Sequence, residues 1–208
     1  MSDMKIYVAC LASYNAGRLH GVWIDCEGKD ADALQDEVNA MLRASPEPNV
    51  RVACPTCEGT GVSVAAIVEG VQQCEPCGTC RGLATVPSAE EWAIHDHEGF
   101  GRAVGEYTRL PHVAALAEAI AEHGAAFIAF LENQGGDDIG AAVEDFEDAY
   151  QGDWDSEKAF AENLLDDMGE LKDDSMLARY FDYDAFARDL FMGDYWRDDD
   201  TGAVFRNC

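Results

Sequence analysis

The sequence has little positive charge. Lys and Arg account for 14 of its 208 residues, whereas Asp and Glu account for 41, and the formal net charge is −27 at pH 7. This excess argues against direct binding to nucleic acid or to an anionic membrane, because both surfaces would repel the protein. Hydrophobic residues still make up 48% of the chain. We therefore expect a folded protein with a core and not a disordered acidic tail.

Long apolar runs are also missing. The longest candidate, residues 114–131, is interrupted by two glutamates, a histidine and a glycine, whereas a membrane-spanning helix needs about 18 or more apolar residues. The first residues contain no basic segment followed by an apolar stretch, so no signal peptide is apparent. These absences predict a cytoplasmic protein that does not bind membranes.

The signatures of common enzymes are absent as well. The sequence contains no G-x-S-x-G, no P-loop, no G-x-G-x-x-G after a strand and no H-E-x-x-H. The nearest approach to a catalytic group is His95-Asp96-His97-Glu98, whose two histidines would share one face of a strand. A hydrolase or metal site there is one alternative, but no third ligand can be named, and a surface role at a strand end is favoured. We predict that the protein is not an enzyme.

The N-terminal part has the pattern of a small sheet with one helix. Residues 5–11 and 21–25 are rich in β-branched and aromatic side chains and predict two strands. Residues 30–43 have helical periodicity, and residues 91–96 predict a third strand of the same sheet. Between them, residues 50–85 hold five of the eight cysteines and almost no net charge. This change in composition indicates an inserted segment.

From residue 110 onward the pattern is mostly helical. Two helices flank Gly124, a short helical stripe surrounds Phe146, and Ser156 is a plausible N-cap for a helix that ends at Gly169. The tail predicts two strands joined by a turn, the first over residues 189–196 and the second over 204–206. The fold class is therefore α+β.

Two copies of the pattern C-x-x-C-x-G occur at residues 54–59 and 77–82. Each is typical of a zinc knuckle, in which a tight turn directs two thiolates at one ion and the glycine allows backbone N–H groups to face sulfur. Together they predict one structural Zn²⁺ per chain in a closed, non-catalytic site with four ligands: Cys54, Cys57, Cys77 and Cys80. Cys74 also forms a C-x-x-C with Cys77, so the register of the second pair stays ambiguous. Only the pair Cys77 and Cys80 has the trailing glycine, and we prefer it.

Residues 54–61, with the sequence CPTCEGTG, closely resemble one repeat of the cysteine-rich zinc region of DnaJ-type co-chaperones, and residues 77–84 resemble a degenerate second copy. Unliganded cysteines are one alternative. A redox C-x-x-C is another, although no βαβ context surrounds either pair. A segment with so few large apolar side chains would lack a core without metal.

The negative charge is concentrated in one part of the chain. Residues 137–200 contain 22 acids and 5 bases, a net charge of −17, whereas residues 1–64 have 9 acids and 5 bases, a net charge of −4. General halophilic adaptation would spread acids evenly, and a solvated acidic face is the other ordinary explanation. A folded acidic surface can instead compete with nucleic acid for a basic groove. Twenty-seven charges correspond to about 46 Å of duplex at roughly 1.7 Å per charge, and a dimer to about 90 Å.

Four segments strongly resemble the ArdA antirestriction proteins. They are KIYVACLASYNAGRLHGVWID at residues 5–25, EWAIHDHEGF at 91–100, FEDAYQG at 146–152 and LARYFDYDAFARDLFMGDYW at 177–196. The resemblance covers the chain except for residues 46–87. That cysteine-rich insert is the departure, because ordinary members of the family lack it.

The resemblance implies a DNA mimic, made by mobile elements, that occupies the DNA-binding groove of type I restriction-modification enzymes. Incoming DNA then escapes cleavage and often modification. It also implies an elongated homodimer of small domains. Mapped onto this chain, these are an N-terminal α+β domain at 1–106 interrupted by the zinc module at about 46–87, a helical domain at 107–141, and an acidic α+β domain at 142–208 that dimerises.

In such a mimic, carboxylates on the outer face take the place of phosphates. The candidate residues are Asp145, Glu147, Asp148, Asp153, Asp155, Glu157, Asp166, Asp167, Asp173, Asp174, Asp182, Asp184, Asp189 and Asp194. The main alternative function is a zinc-dependent protein-interaction or co-chaperone-like module that acts through the insert.

Overall fold

Strands and helices are mixed along the chain in a computed structural model that describes residues 4–68, 71–136, 138–169, 171 and 178–207. This confirms the predicted α+β class. The chain divides into two compact units, one made of Met1–Gly99 and Val104–Ala114, the other of Phe100–Ala103 and Ala115–Cys208. The predicted division into three domains near residues 106 and 141 stays a prediction.

The first unit is built mainly from short strands. In chain order its elements up to the last strand are β1 (Lys5–Cys10), α1 (Leu11–Asn15), β2 (Gly21–Asp25), α2 (Ala31–Arg43), β3 (Val50–Ala53), β4 (Val62–Val68), β5 (Val71–Pro76), β6 (Thr85–Ser88) and β7 (Trp92–Glu98). Strands β1, β2 and β7 form an antiparallel sheet in the order β2-β1-β7. The sheet predicted from the sequence is therefore confirmed.

One face of this sheet forms the core of the first unit with α2. Ile6, Val8 and Ile24 are fully buried, as are Leu34 and Val38 of the helix. Along β1, Ile6 and Val8 are buried whereas Lys5 and Tyr7 are only half-buried, because alternate side chains of a strand point to opposite faces of the sheet. Asp30 begins the helix by accepting a hydrogen bond from the backbone N–H of Ala33 at 2.8 Å, an ordinary N-cap.

The insert is attached through a two-stranded stem. Strands β3 and β6 pair antiparallel from Val50 opposite Ser88 to Ala53 opposite Thr85. The backbone N–H of Asn49 donates to the Ser88 carbonyl at 3.0 Å, which closes the base of the stem. Beyond the stem, β4 and β5 form a separate antiparallel hairpin, which the sequence did not predict.

The rest of the chain is mostly helical. Its elements are α3 (Leu110–His123), α4 (Ala125–Gln134), α5 (Ile139–Ala149), β8 (Tyr150–Asp153), α6 (Glu157–Met168), a 3-10 turn at Ala178–Tyr180, α7 (Tyr183–Phe191), β9 (Tyr195–Arg197) and β10 (Ala203–Arg206). Strands β8, β10 and β9 form a second antiparallel sheet. Phe146 lies at the centre of the core, with ring centroids 5.5 Å from Phe127, 5.7 Å from Phe130 and 5.8 Å from Phe205.

In this part of the chain the predicted ends of helix α6 are confirmed, whereas the strand predicted in the tail is partly wrong. Ser156 accepts a hydrogen bond from the Ala159 N–H at 3.1 Å, and Gly169 closes α6 in a left-handed conformation, as expected. The strand predicted over residues 189–196 is wrong in its first part, because α7 continues to Phe191. The strand begins at Tyr195 and pairs with β10, so the predicted hairpin is confirmed only there.

None of the helices in the described ranges is both long and apolar enough to cross a membrane.

Candidate metal centre and acidic surface

The four predicted cysteines meet in the first unit. Cys54, Cys57, Cys77 and Cys80 are all buried, and their sulfur atoms lie within 4.8 Å of one another. The Sγ atoms of Cys54 and Cys77 are 3.9 Å apart, and those of Cys57 and Cys80 are 3.8 Å apart. Four sulfurs placed tetrahedrally at about 2.3 Å from a zinc ion would be separated by about 3.8 Å. The donor set therefore fits a tetrahedral thiolate site.

The two halves of the cluster repeat one conformation at an interval of 23 residues. Thr56 and Thr79 stand at equivalent positions, and their hydroxyl oxygens are 2.9 Å apart. Glu58 and Arg81, which follow the second cysteine of each pair, both have positive φ, at 48° and 54°. The repeated tight turn is what brings each pair of thiols to the same point.

Backbone N–H groups support the sulfur atoms. The Gly61 N–H donates to Cys57 Sγ at 3.2 Å, so the donor lies two residues beyond the glycine singled out in the sequence pattern. Burial opposes ionisation of the Cys57 thiol, but this hydrogen bond and the neighbouring cysteines outweigh it and lower its pKa to about 6. The backbone N–H of Cys80 chiefly lowers the pKa of Cys77, whereas burial raises that of Cys80. A cluster with an easily ionised thiol is suited to a cation.

Little apolar material surrounds the cluster. Among the described residues of this part, the hydrophobic cluster consists of the four cysteines themselves, with the partly buried Val86 packed against them. A module of this size cannot be held together by so few apolar contacts. The sequence-based expectation that the insert depends on metal is consistent with this packing.

Cys74 lies apart from the cluster. It is exposed on β5, opposite Val64 of β4. Among the described residues, only Cys54, Cys57, Cys77 and Cys80 form a group of metal-ligating side chains. The register that uses Cys77 with Cys80, which the trailing glycine favoured, is the one in which the thiols converge.

His95 and His97 do not form a comparable group. A bulge in β7 leaves His95 without a pairing partner on β1, while His97 pairs with Ile6. The His95 ring stands edge-on to Tyr14, with centroids 5.0 Å apart. In the part of the chain that the structure describes, no third ligand joins them.

The acidic residues proposed from the sequence lie mainly at the surface of the second unit. Twelve of the fourteen fall within the described residues, and each is exposed: Asp145, Glu147, Asp148, Asp153, Asp155, Glu157, Asp166, Asp167, Asp182, Asp184, Asp189 and Asp194. Asp173 and Asp174 lie outside the described residues. Helical geometry accounts for this exposure on α5, where Phe146 and Ala149 are buried between outward-facing acids.

Some of these carboxylates also have partners within the chain. Asp182 caps α7 by accepting from the Ala185 N–H at 3.0 Å. Asp153 accepts the Tyr150 hydroxyl at 2.8 Å. Asp184 forms an ion pair with Lys158 at 3.1 Å, and its hydrogen bond and charge raise the pKa of that lysine. These three acids therefore stabilise local structure in addition to presenting charge.

The family model for the antirestriction protein ArdA matches residues 6–205, nearly the whole chain. The chain belongs to the ArdA antirestriction family. Its function is therefore antirestriction, and proteins of this family are inhibitors and not enzymes. Membership also implies a type I restriction enzyme as the target. No curated protein matches the chain significantly.

Proposed function

We propose that this ArdA protein inhibits a type I restriction-modification enzyme by mimicking DNA and occupying its DNA-binding groove. The observation that carries the proposal is the exposure of all twelve described candidate acids on the second unit. A groove that binds DNA presents Lys and Arg to phosphates. Exposed carboxylates can occupy the positions that the DNA phosphates take beside these Lys and Arg side chains. The net charge of −27 also favours association with such a basic surface.

The mechanism requires no chemistry on the inhibitor. Binding replaces the counterions held by the acidic surface and by the enzyme with direct charge pairs, as DNA binding does. Inhibition should therefore weaken steeply as salt rises, because screening shortens the range of these interactions. Restriction requires access to the groove, and so does modification, so both activities are expected to fall.

A charge-matched pair of variants tests this proposal. The first neutralises four exposed acids of α5, namely Glu144, Asp145, Glu147 and Asp148, to Gln or Asn. The control neutralises four exposed acids of the first unit, namely Glu27, Asp36, Glu90 and Glu91. Both change the net charge by four. DNA cleavage and methylation by a type I enzyme are then measured at increasing inhibitor concentration, at low and at high salt.

We expect the α5 variant to inhibit at least ten-fold less well than the control. A loss of about 1.4 kcal/mol of binding free energy suffices for that difference. Equal inhibition by the two variants would contradict the proposal that the DNA-mimicking acidic surface lies on the second unit. Absence of inhibition by the unmodified protein at low salt, with any enzyme of the class, would contradict the proposal as a whole.

We also propose that Cys54, Cys57, Cys77 and Cys80 hold one structural Zn²⁺ per chain. The fit of their sulfur spacing to a tetrahedral site supports this. Bound zinc would crosslink the two turns and replace the core that the module lacks. With four protein ligands the site has no open position, so it would stabilise structure only.

Two properties implied by the family complete the proposal. The chain is expected to form a homodimer through residues 142–208 and to be elongated, and the pair would have a net charge of −54, twice the −27 of one copy. Light scattering measures the mass, and small-angle X-ray scattering measures the shape. A compact monomer in solution would contradict this part of the proposal without affecting the zinc site.

One observation favours a second role for the insert. Val62, Val64 and Leu83 are exposed apolar side chains on this nearly uncharged module. They suit contact with another protein, as in the zinc-dependent interaction module that the sequence left as the alternative. If that role is the main one, removal of zinc abolishes inhibition. If the acidic surface is sufficient, inhibition survives chelation.

A further inference from the structure

The sheet face that points away from α2 combines aromatic rings with carboxylates. The register of β2, β1 and β7 places Trp23, Tyr7 and Asp96 side by side in one row, and Asp25, Lys5 and Glu98 in the next. We call these six residues the aromatic–acidic face. Three carboxylates against one amine make it electronegative, and all three acids are exposed.

The rings on this face are held by local packing. Tyr7 extends over Gly21, where an added Cβ would lie 2.7 Å from the tyrosine hydroxyl oxygen and 2.5 Å from the Val8 carbonyl oxygen. Glycine at this position therefore leaves the space that the ring fills. Trp23 contacts the Tyr7 ring with centroids 5.5 Å apart, and 41% of its surface is exposed.

The face already binds a cation of the chain itself. Lys5 Nζ lies 5.8 Å from the centre of the Trp23 ring and 2.9 Å from a carboxylate oxygen of Glu98. An ammonium group thus contacts a ring and a carboxylate together, which is the combination that favours cations over neutral groups. The neighbouring row of Trp23, Tyr7 and Asp96 also combines rings with a carboxylate; none of its own residues is basic, although Lys5 of the next row lies over its Trp23 ring.

We infer that the aromatic–acidic face binds an arginine side chain of the target enzyme's basic DNA-binding surface. A planar guanidinium can stack on an aromatic ring while it donates to a carboxylate, whereas an ammonium group cannot stack. Nucleic acid is a poor occupant despite the exposed rings, because its phosphates would face Asp25, Asp96 and Glu98. The inference rests on the proposed function and adds a contact on the first unit to the acidic surface of the second.

NMR of the four tryptophan indole N–H groups tests the binding directly. The probe is an acetylated, amidated tri-arginine peptide, compared with tri-lysine of equal charge. We expect the Trp23 signal to shift, with an affinity at that position about two- to five-fold higher for tri-arginine. The signals of Trp154 and Trp196 serve as an internal reference for general attraction to the acidic chain. No shift at Trp23, or equal affinities there, overturns the inference.

The inhibition assay then separates this inference from the proposed function. Trp23→Leu should raise the concentration for half-maximal inhibition about two- to five-fold, whereas Tyr107→Leu, at an aromatic residue that is 74% exposed, should not. Asp96→Asn gives a second test in which the rings are kept. If the wild type inhibits and all three variants match it, the inference is wrong and the mimic proposal stands. If the wild type does not inhibit, the mimic proposal fails, and the peptide titration still decides whether the face binds arginine.

Discussion

Ala84 occupies, in the second half of the cysteine cluster, the position that Gly61 occupies in the first. The Ala84 carbonyl accepts from the Cys54 N–H at 2.9 Å, and the Gly61 carbonyl accepts from the Cys77 N–H at 2.8 Å. Each half of the cluster therefore accepts a backbone hydrogen bond from the first cysteine of the other half. Both residues have positive φ, 63° for Ala84 and 78° for Gly61. Only glycine adopts this conformation without steric cost.

Ala84→Gly should therefore stabilise the protein. Relief of the left-handed alanine is expected to raise the free energy of unfolding by about 1 kcal/mol, measured by denaturant unfolding with zinc present. Ala53→Gly is the matched control in β3, because Ala53 does not have positive φ. That change should instead lower stability by about 0.5–1 kcal/mol. Destabilisation by both substitutions would show that Ala84 is not strained.

The reverse substitution at the equivalent position, Gly61→Ala, should destabilise the protein. A Cβ added at Gly61 would lie 2.9 Å from the Gly82 carbonyl oxygen, a backbone atom that cannot move aside easily. Together with the positive φ, Gly61→Ala should cost about 2 kcal/mol or more in the free energy of unfolding. Gly78→Ala, where an added Cβ meets nothing within 4 Å, is the control expected to have little effect.

The sequence predicted the cysteine cluster better than it predicted some of the strands and helices of the chain. The paired C-x-x-C-x-G patterns identified the four converging cysteines, because ligand spacing is a local property of a turn. Helix α7 was missed altogether, and its last residues, 189–191, were assigned to a strand, because the aromatic residues that follow favour a strand and the cap that starts the helix, Asp182, was not recognised. The β4–β5 hairpin was missed because Gln72 and Gln73 interrupt any apolar alternation. Pairing with β4, and not composition, makes that segment a strand.

Metal analysis of the purified protein should find about one zinc per chain. Cys57→Ser and Cys80→Ser should each lose it, because three thiolates and a hydroxyl bind zinc less tightly and the thiols pack together. Cys74→Ser should retain it, since Cys74 is exposed and outside the cluster. Retention of zinc by Cys80→Ser together with its loss from Cys74→Ser would reverse the assignment of ligands.

Thiol labelling at pH 7.5 should distinguish three classes of cysteine in a Cys208→Ser background. Cys74 should react within seconds to minutes because it is exposed. Cys10 and Cys26 should not react in the folded protein because both are fully buried, and burial, followed by the charge of Asp25, also raises the pKa of Cys26 to about 11. Addition of a zinc chelator should expose four further thiols. Rapid labelling of five thiols without a chelator would contradict metal binding by the cluster.

Alkaline titration, followed by tyrosine absorbance, should reveal the raised pKa of Tyr150. Burial, and then the hydrogen bond to Asp153, raise the pKa of this tyrosine to about 12. Because the folded pKa lies above the unfolded value of about 10, Tyr150 stabilises the fold below pH 10, and this contribution is lost as pH rises through 12. Tyr150→Phe should remove the absorbance change at about pH 12, whereas Tyr180→Phe, at a residue that is 84% exposed, should not.

The stem formed by β3 and β6 has one more consequence. The chain leaves the three-stranded sheet domain and returns to it at neighbouring positions, because Val50 and Ser88 face each other at about 5 Å across an antiparallel pair. A short linker between those positions could replace the whole cysteine-rich module, and the backbone on either side of it would keep the same course. The module is thus a cassette, and the same junction offers a place at which another small domain could be grafted.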